Sequence, residues 1–408
     1  MRIAVIGTSN SLRKEGYFPY LAADPRVTQA VNLSIGASTS LHTVGSTANF
    51  DFSQFDFALL EFAVNEEAIL AGGGLDLDVV RGVVSSLIVR CLSCRCLPIV
   101  VIFPRLLRRG QLSAMRAFYR DLALSYSVPF LDIYDVVEYV RSNSDITDFA
   151  IFKDSAHIEQ WICCAISQIM VSGIASLGVG FEDCADEPVV APRYTSLPLA
   201  DLLPELAEKT VERSTSRSSA RFICAVSQDI LESSSVTAKA IVGVSVNLRE
   251  TDCFLRVSAA ESSLIDLRNV YYKSPDFRLV VSSFPLPRRI EIEDGLVFLQ
   301  PLDSAAADGS AVSSAKIELG RIRRPAIGSL EISALLVELS EMVSSPVRPT
   351  RSLAASILST EHYETLRLMC RIYRSLRSVD QDAIAEKQFK DRATEKRARR
   401  RAAELMQH

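Results

Sequence analysis

The chain has 408 residues, of which 48% are hydrophobic and 23% are charged. This composition excludes global disorder, a collagen-like fibre and a polytopic membrane protein. Because one hydrophobic core stops growing at ~250 to 300 residues, we expect two folded units with appendages. The 49 acidic and 45 basic side chains give a formal net charge of -4, a balance that argues against a surface built around nucleic acid.

The first part of the chain alternates short apolar runs with helical patterns, which is typical of a parallel sheet with helices on both faces. Strands are predicted at 3–6, 28–33, 57–62, 98–103 and 128–131. Helices are predicted at 11–23, 75–91, 111–125, 133–141 and 158–177. We therefore predict a flavodoxin-like three-layer α/β/α domain over residues 1–181.

The remaining chain changes character twice. Residues 182–220 are rich in Asp, Glu, Pro and Ser and are predicted to be a linker that carries one short helix around 199–208. Short β-rich runs follow at 221–226, 239–246, 254–257, 277–281, 289–292, 296–299, 316–319 and 329–339. Their spacing predicts an antiparallel β-sandwich domain over 221–341. Residues 342–408 are predicted to form a helical C-terminal tail, with helices at 352–377 and 381–405.

A serine follows the first predicted strand, in the segment Gly7-Thr8-Ser9-Asn10-Ser11. The end of the strand places a hydroxyl at the top of the sheet, and the backbone amides that follow lie near a helix start, where a developing oxyanion is favoured. A phosphate-binding turn is the rival interpretation. The segment has neither G-x-G-x-x-G nor a Walker lysine pattern.

Three other segments place polar or glycine residues at predicted strand ends. Gly36 follows the second strand, where it lets the backbone approach a bound oxygen closely. Asn65 follows the third strand, and near the end of the domain Asp154 stands three residues before His157. Each feature alone has a structural explanation: a turn, a helix cap and a surface residue. Because functional groups of doubly wound sheets gather at the carboxyl ends of the strands, the combination points to one site.

In this order, the segments resemble the SGNH hydrolase superfamily, also called GDSL-type esterases, over roughly residues 1–180. The resemblance implies that Ser9 is the nucleophile, that Asp154 and His157 complete the triad, and that Gly36 and Asn65 join the Ser9 amide in the oxyanion hole. The chain has only four histidines, and His42, near the Gly36 loop, is the second candidate base.

The sequence departs from the family pattern at three positions. Thr8 replaces the Asp before the nucleophile, Ala63 replaces the Gly of the third segment, and Glu66 replaces its Asp. A Cβ at Ala63 could alter the turn that aims Asn65. The oxyanion hole is therefore the part of the resemblance that a structure must test first.

The activity that the resemblance implies is that of a serine esterase that hydrolyses acyl or acetyl esters with a Ser-His-Asp triad and no cofactor. Its partner would be a small-molecule or glycan ester, and we favour an O-acylated carbohydrate by analogy with family members that carry a β-rich module. The same site could serve an O-acyltransferase acting on a glycan. A non-catalytic binding or scaffold protein could also retain the fold.

Other polar groups have weaker patterns. Cys91, Cys94 and Cys96 begin with a metal-like spacing, but no second pair follows, so we predict packing and no metal site. Glu66 and Glu67 could be an acid/base pair or acids that favour a helix N-terminus. The basic segment 105–109 follows the fourth strand, where it could select an anionic substrate or be an exposed loop.

Location and partners are predicted from three patterns. The nine cysteines are an odd number and mostly lie in apolar runs, and residues 1–6 lack the pattern of a secretory signal, so we expect a cytoplasmic protein. The uncharged stretch 162–181 contains several polar residues and glycines, which favours a buried helix over a membrane span. Residues 387–408 carry eight basic and three acidic side chains, and this basic helix could bind a partner or self-associate.

Overall fold

A computed structural model describes residues 1–106, 112–177, 181–183, 187–214, 219–269, 271–275, 279–304, 312–314, 326–349 and 356–376. The basic helix predicted at 381–405, the strand predicted at 316–319 and most of the basic segment 105–109 lie outside these residues. The first residues of the strand predicted at 277–281 also lie outside them.

A five-stranded parallel sheet forms the centre of the first domain, in the order β2-β1-β3-β4-β5. The strands are β1 (Arg2–Ile6), β2 (Gln29–Asn32), β3 (Phe57–Leu60), β4 (Leu97–Ile102) and β5 (Phe130–Asp132). Each overlaps one predicted strand, and the order is that of a flavodoxin-like sheet. The predicted α/β fold class is confirmed.

Both faces of the inner strands of this sheet are buried, which explains why β1, β3 and β4 are nearly continuous apolar runs, whereas the edge strand β2 is half polar and only partly buried. In β1, Ile3 and Val5 belong to the core on one face, whereas Ala4 and Ile6 belong to the core on the other. Successive side chains of a strand point to opposite faces. An all-apolar strand therefore contributes to two cores at once.

Nine α-helices connect or flank these strands in the described part of the first domain. They are α1 (Ser9–Leu12), α2 (Phe18–Ala23), α3 (His42–Ser46), α4 (Ala63–Leu70), α5 (Leu77–Ser93), α6 (Ala114–Ser125), α7 (Ile133–Asn143), α8 (Asp148–Ile151) and α9 (Gln160–Ser176). The helix predicted at 11–23 is split into α1 and α2, because Pro19 lies in the first turn of α2, where its missing N–H costs nothing.

Helix α9 contains most of the uncharged stretch that the sequence singled out. Its apolar side chains, including Ile166 and Ile169, are buried in the core on one face of the sheet. Among the described residues, no helix is long and apolar enough to cross a membrane. The stretch is a core helix, as predicted.

Two large sheets form the body of the β-rich second domain, in the orders β10-β15-β12-β13-β16 and β14-β11-β17-β9-β8, with β7 also paired to β17, and β6 and β18 form a separate two-stranded antiparallel sheet. The strands are β6 (Phe181–Asp183), β7 (Val189–Pro198), β8 (Thr210–Ser214), β9 (Ser219–Val226), β10 (Leu231–Ser233), β11 (Ala240–Asn247), β12 (Phe254–Ser258), β13 (Ser262–Asp266), β14 (Val281–Glu291), β15 (Val297–Leu302), β16 (Val312–Ser314), β17 (Ser329–Ser345) and β18 (Val347–Pro349). Helix α10 (Leu199–Leu202) follows β7. A shared apolar core joins the two sheets, as in a sandwich.

The segment expected to be a linker differs from that expectation, because it contains the strands β7 and β8, while α10 lies where its short helix was expected. Strand β7 pairs antiparallel with β17 from Val189 to Pro198. Its prolines suggested a linker, but proline is tolerated on an edge strand, where no second neighbour needs its N–H. Main-chain pairing with a distant segment determines this strand, and the local pattern does not reveal it.

The start of the expected helical tail also differs, because β17 continues to Ser345 and β18 follows. Beyond them, α11 (Thr360–Leu376) packs on the first domain. Its Tyr363 ring lies 4.9 Å from that of Tyr139 on α7, and its Tyr373 ring stacks on Trp161 of α9 at 4.2 Å. The described helix of the tail is therefore part of the first domain's surface.

The two domains share a small apolar cluster, which we call the interdomain cluster. Its buried members are Leu41, Val44, Val79 and Val83 of the first domain and Val242 and Leu336 of the second. Tyr194 of β7 packs against it. Leu41 is the last residue before α3, so the cluster adjoins the loop that follows β2.

Candidate active site

The hydroxyl of Ser9 lies at the carboxyl end of β1, because Ser9 is the first residue of α1. The first N–H groups of a helix have no intrahelical acceptor, so the Ser9 amide is available to a bound oxygen. Gly7 makes the turn possible: a Cβ there would lie 2.8 Å from both Glu61 Oε2 and Ser11 Oγ. The turn is therefore packed tightly against the end of β3.

Ser9, His157 and Asp154 form a continuous hydrogen-bonded chain. Ser9 Oγ lies 2.8 Å from His157 Nε2, and His157 Nδ1 lies 2.8 Å from each Asp154 carboxylate oxygen. The His157 side chain is 16% exposed and that of Asp154 is 40% exposed. With Nδ1–H donated to the carboxylate, Nε2 is the acceptor for the serine proton, which is the arrangement of a nucleophile with its base.

The loop that carries the imidazole is held by its own carboxylate and by the nucleophile turn. Asp154 Oδ1 accepts hydrogen bonds from the backbone N–H groups of Ala156 (2.8 Å) and His157 (3.0 Å). Asn10, the buried neighbour of Ser9, donates through Nδ2 to the Ala156 carbonyl at 3.1 Å. The serine and the histidine, 148 positions apart, are therefore connected by a second contact beside their own hydrogen bond.

A fully buried carboxylate supports the nucleophile turn from below. Glu61 accepts hydrogen bonds from the Thr8 amide (3.0 Å) and the Thr8 hydroxyl (2.9 Å), and the Ser11 hydroxyl lies 3.3 Å away. Burial raises the pKa of Glu61 to about 7, against the opposing effect of these hydrogen bonds. Thr8, which departs from the family pattern, thus has a defined structural partner.

Asn10 and Glu61 are two residues of the site that no sequence motif identified. A signal was present for Glu61, since an acidic residue that directly follows an all-apolar strand must find partners at the sheet edge. Asn10 carried no such signal, because an Asn next to a helix start is an ordinary capping residue. Its contact with Ala156 depends on the tertiary fold.

The proposed oxyanion residues are grouped around the loop that follows β2. Asn65, on the first turn of α4, donates through Nδ2 to the Ser38 carbonyl at 2.8 Å. Gly36 lies against α1, where a Cβ would contact Leu12 at 3.4 Å. Ala63 begins α4, and a helical backbone accommodates its Cβ without strain. The structure thus connects Asn65 to the Gly36 loop, and the replacement at position 63 leaves the helix start intact.

Glu66 and Glu67 are both buried and bonded to neighbouring elements. Glu66 accepts hydrogen bonds from the Ser40 amide at 2.9 Å and from the Tyr119 hydroxyl, and burial raises its pKa. Glu67 accepts from the Ser113 hydroxyl at 2.6 Å. These contacts tie α4 to the loop before α3 and to α6, which is a structural use of both carboxylates.

His42, the second candidate base, is buried on α3. Its Nδ1 lies 2.6 Å from the Thr39 carbonyl and 3.2 Å from Ser38 Oγ, and its ring packs on Phe62. Burial lowers the pKa of His42 to about 4, so the ring is neutral at ordinary pH. The structure brings His157, and not His42, to Ser9.

The remaining polar candidates are placed as follows. Cys91 and Cys96 are buried free thiols and Cys94 is half-buried. In the described part of the chain, no group of three or more His, Cys, Asp or Glu side chains is arranged to hold a metal ion. Of the basic segment, Leu106 donates its N–H to the Ser155 carbonyl at 2.9 Å, which places this segment beside the His157 loop.

The sheet order, together with Ser9 at the end of β1 and the Asp154–His157 loop before α9, defines a domain with the fold of the SGNH hydrolases. No protein-family model and no curated protein matches the sequence. The structure is similar to that of a two-domain esterase, CEX, active on acetylated mannans, with a TM-score of 0.54 and 11% identity over 84% of this chain and 92% of that chain.

The same esterase co-crystallised with mannopentaose gives a TM-score of 0.53 with 12% identity, over 84% of this chain and 91% of that one. The structure of an acetyl xylan esterase, AlAXEase, has a TM-score of 0.35 with 15% identity, over 43% of this chain and all of the other. The similarity to CEX covers more of the chain than the first domain alone, so the likeness in fold extends into the second domain.

Proposed function

We propose that the protein is a serine esterase in which Ser9, His157 and Asp154 act as a catalytic triad. The observation that carries this proposal is the unbroken chain from Ser9 Oγ through both ring nitrogens of His157 to the Asp154 carboxylate, with each contact at 2.8 Å. The fold shared with esterases supports it. If His157 had only a structural role beside Ser9, no carboxylate would be needed to orient its ring.

In this mechanism the Ser9 oxygen attacks the ester carbonyl carbon while its proton passes to His157 Nε2. Asp154 holds the ring orientation and stabilises the imidazolium that forms. The Ser9 and Gly36 amides and the Asn65 side chain hold the oxyanion of the tetrahedral intermediate. The intermediate collapses, the alcohol leaves with the proton from His157, and water then attacks the acyl-serine by the reverse sequence to release the acid.

For the substrate we propose an O-acetylated carbohydrate. The support is the likeness, over both domains, to an esterase that is active on acetylated mannans. The partly exposed triad suits an ester group that projects from a larger molecule, since the Asp154 side chain itself is 40% exposed. An acetyl group on a sugar hydroxyl can reach such a site without burial of the whole glycan.

The test compares the wild type with Ser9→Ala on p-nitrophenyl acetate, acetylated mannan and acetylated xylan, with a fluorophosphonate probe as a label of the nucleophile. We expect acetate release and labelling by the wild type and neither by Ser9→Ala. Ser93→Ala is the matched control, because Ser93 is exposed at the end of α5 and its hydroxyl donates to the Arg90 carbonyl of the same helix. Equal acetate release by the wild type and Ser9→Ala would remove Ser9 from the mechanism, and acetyl transfer to added sugars would identify a transferase.

We further propose that the protein works in a reducing compartment, the cytoplasm as the sequence predicts. All eight cysteines in the described part of the chain are free, and four of them are fully or largely buried in the first domain or its surface helix. Proteins of oxidising compartments generally pair such thiols. Mass spectrometry of the protein purified with an alkylating agent would show nine alkylated cysteines if this is correct.

A further inference from the structure

The loop that follows β2 receives a hydrogen bond from the second domain. The hydroxyl of Ser282, the second residue of β14, donates to the Ala37 carbonyl at 3.0 Å, although the two residues are 245 positions apart. Ser282 is only 1% exposed, so its hydroxyl is shielded from water and directed to this acceptor. We propose that Ser282 is a positioning residue that holds the oxyanion loop, residues 36–38, from the second domain.

This inference rests on the proposed function, in which the Gly36 amide and the Asn65 side chain hold the oxyanion. Ala37 directly follows Gly36 and has a φ of 53°, in the left-handed region that a residue with a Cβ rarely adopts. Such a conformation persists when surrounding contacts enforce it. The hydrogen bond from Ser282 is one contact that does so.

The next carbonyl along the loop, that of Ser38, accepts a hydrogen bond from the first domain. Asn65 of the first domain donates to the Ser38 carbonyl at 2.8 Å, whereas Ser282 of the second domain donates to the Ala37 carbonyl. Two successive peptide groups are therefore fixed by two domains. The Gly36 amide belongs to the peptide group two units before the first of these, so its direction depends on both contacts.

A glycine in the second domain, Gly243, allows the two domains to approach closely beside this loop. A Cβ at Gly243 of β11 would lie 2.7 Å from Leu41 Cδ2 and 2.5 Å from the Phe284 carbonyl, so only glycine fits there. Leu41 in turn packs in the interdomain cluster with Val242 and Leu336. Packing in this cluster holds the two domains at the distance at which the Ser282 hydroxyl reaches the Ala37 carbonyl.

Loss of the Ser282 hydroxyl would remove this donor from the Ala37 carbonyl and leave the left-handed turn less constrained. The oxyanion exists only in the transition state and intermediate, so a displaced Gly36 amide lowers kcat and leaves KM nearly unchanged. Removal of one oxyanion donor costs ~100- to 1000-fold in rate. For a donor that is displaced and not removed, we expect a decrease in kcat of roughly 10- to 100-fold.

The experiment measures kcat and KM for acetyl ester hydrolysis by the wild type, Ser282→Ala, Ser282→Cys and Ser283→Ala. Ser283 is the matched control: it is the next residue of β14, is also buried, and its hydroxyl pairs with Ser245 at 2.8 Å, away from the loop. Cys has nearly the size of Ser and is a weaker donor. We expect kcat to decrease in the order wild type, Ser282→Cys, Ser282→Ala, with Ser283→Ala close to the wild type.

Amide hydrogen exchange of residues 36–41 is measured on the same variants. Faster exchange in Ser282→Ala than in Ser283→Ala would support the inference, and Ser282→Cys provides the comparison if the alanine variant does not fold. If kcat and loop exchange of both Ser282 variants equal those of Ser283→Ala, the inference is overturned while the esterase remains. A wild type without Ser9-dependent hydrolysis would instead overturn the proposed function, and with it the catalytic role of this contact.

Discussion

Glu61 provides a quantitative prediction, because its carboxyl is fully buried beneath the nucleophile turn. Its pKa is raised from 4.5 to about 7 in the folded protein, chiefly by burial. An unfolded chain therefore ionises Glu61 near pH 4.5, whereas the folded protein keeps the proton until about pH 7. Between these values unfolding releases a proton, so the free energy of unfolding decreases as the pH rises. The full effect is about 3 kcal/mol and is reached above pH 7.

Replacement of Glu61 by Gln removes this ionisation and keeps an acceptor for the Thr8 amide. Between pH 4.5 and 7 the free energy of unfolding of the wild type should decrease as the pH rises, whereas that of Glu61→Gln should not show this decrease. The difference in free energy of unfolding between the variant and the wild type should therefore grow by up to about 3 kcal/mol in favour of the variant. Urea unfolding at a series of pH values, followed by the fluorescence of the single tryptophan, Trp161, measures the difference. Other buried acids such as Glu66 are present in both proteins, so their contributions to the pH dependence cancel in the difference.

Glu15→Gln is the control for this prediction. The Glu15 side chain is 49% exposed, and Lys153 and Arg13 lower its pKa, so its loss cannot remove a decrease of stability between pH 4.5 and 7. Parallel pH profiles for Glu61→Gln and the wild type would refute the reasoning. They would mean that Glu61 is already ionised in the folded protein near pH 5, with its hydrogen bonds to Thr8 outweighing burial.

Three further predictions concern the site and its support. Asp154→Asn should lower kcat by about 10,000-fold, because the Asn side chain would hold the wrong ring tautomer of His157. Pre-steady-state kinetics should show slow acylation. A decrease in kcat of less than about tenfold would exclude Asp154 as the orienting acid. Asn65→Ala should lower kcat by ~100- to 1000-fold with a small change in KM, and a change confined to KM would mean that Asn65 binds substrate only. Leu41→Ala should reduce the free energy of unfolding by roughly 2 to 5 kcal/mol by opening a cavity in the interdomain cluster, and calorimetry would contradict this if the melting temperature did not change.

The first domain could be predicted from the sequence because its signals are local. The inner strands β1, β3 and β4 are short apolar runs buried on both faces, and a residue able to do chemistry follows several strands of the sheet. Asp154 and His157 are three residues apart, so one loop brings both to the site. The proximity of Ser9 to that loop follows from the sheet order and is not visible in spacing alone.

The second domain was less predictable, because its boundaries depend on distant pairing. Strand β7 looks like a linker until β17, more than a hundred residues later, supplies its partner. The Ser282 contact has no local signal either, since a serine in an alternating strand is ordinary. What the sequence lacks in each case is the identity of the element that packs opposite.

The long strand β17 has a consequence for the order of events during synthesis. It pairs with β11, β9 and β7, and yet it is completed only at Ser345. When the first domain leaves the ribosome, the central strand of the larger second sheet has not been made. Sheets that depend on such distant pairing fold slowly, and domains generally fold as units in the order of synthesis. Residues 1–177 would therefore bring Ser9 and His157 together before the second sheet can reach the β2 loop, so the contact from Ser282 to Ala37 would form after the nucleophile and its base have met.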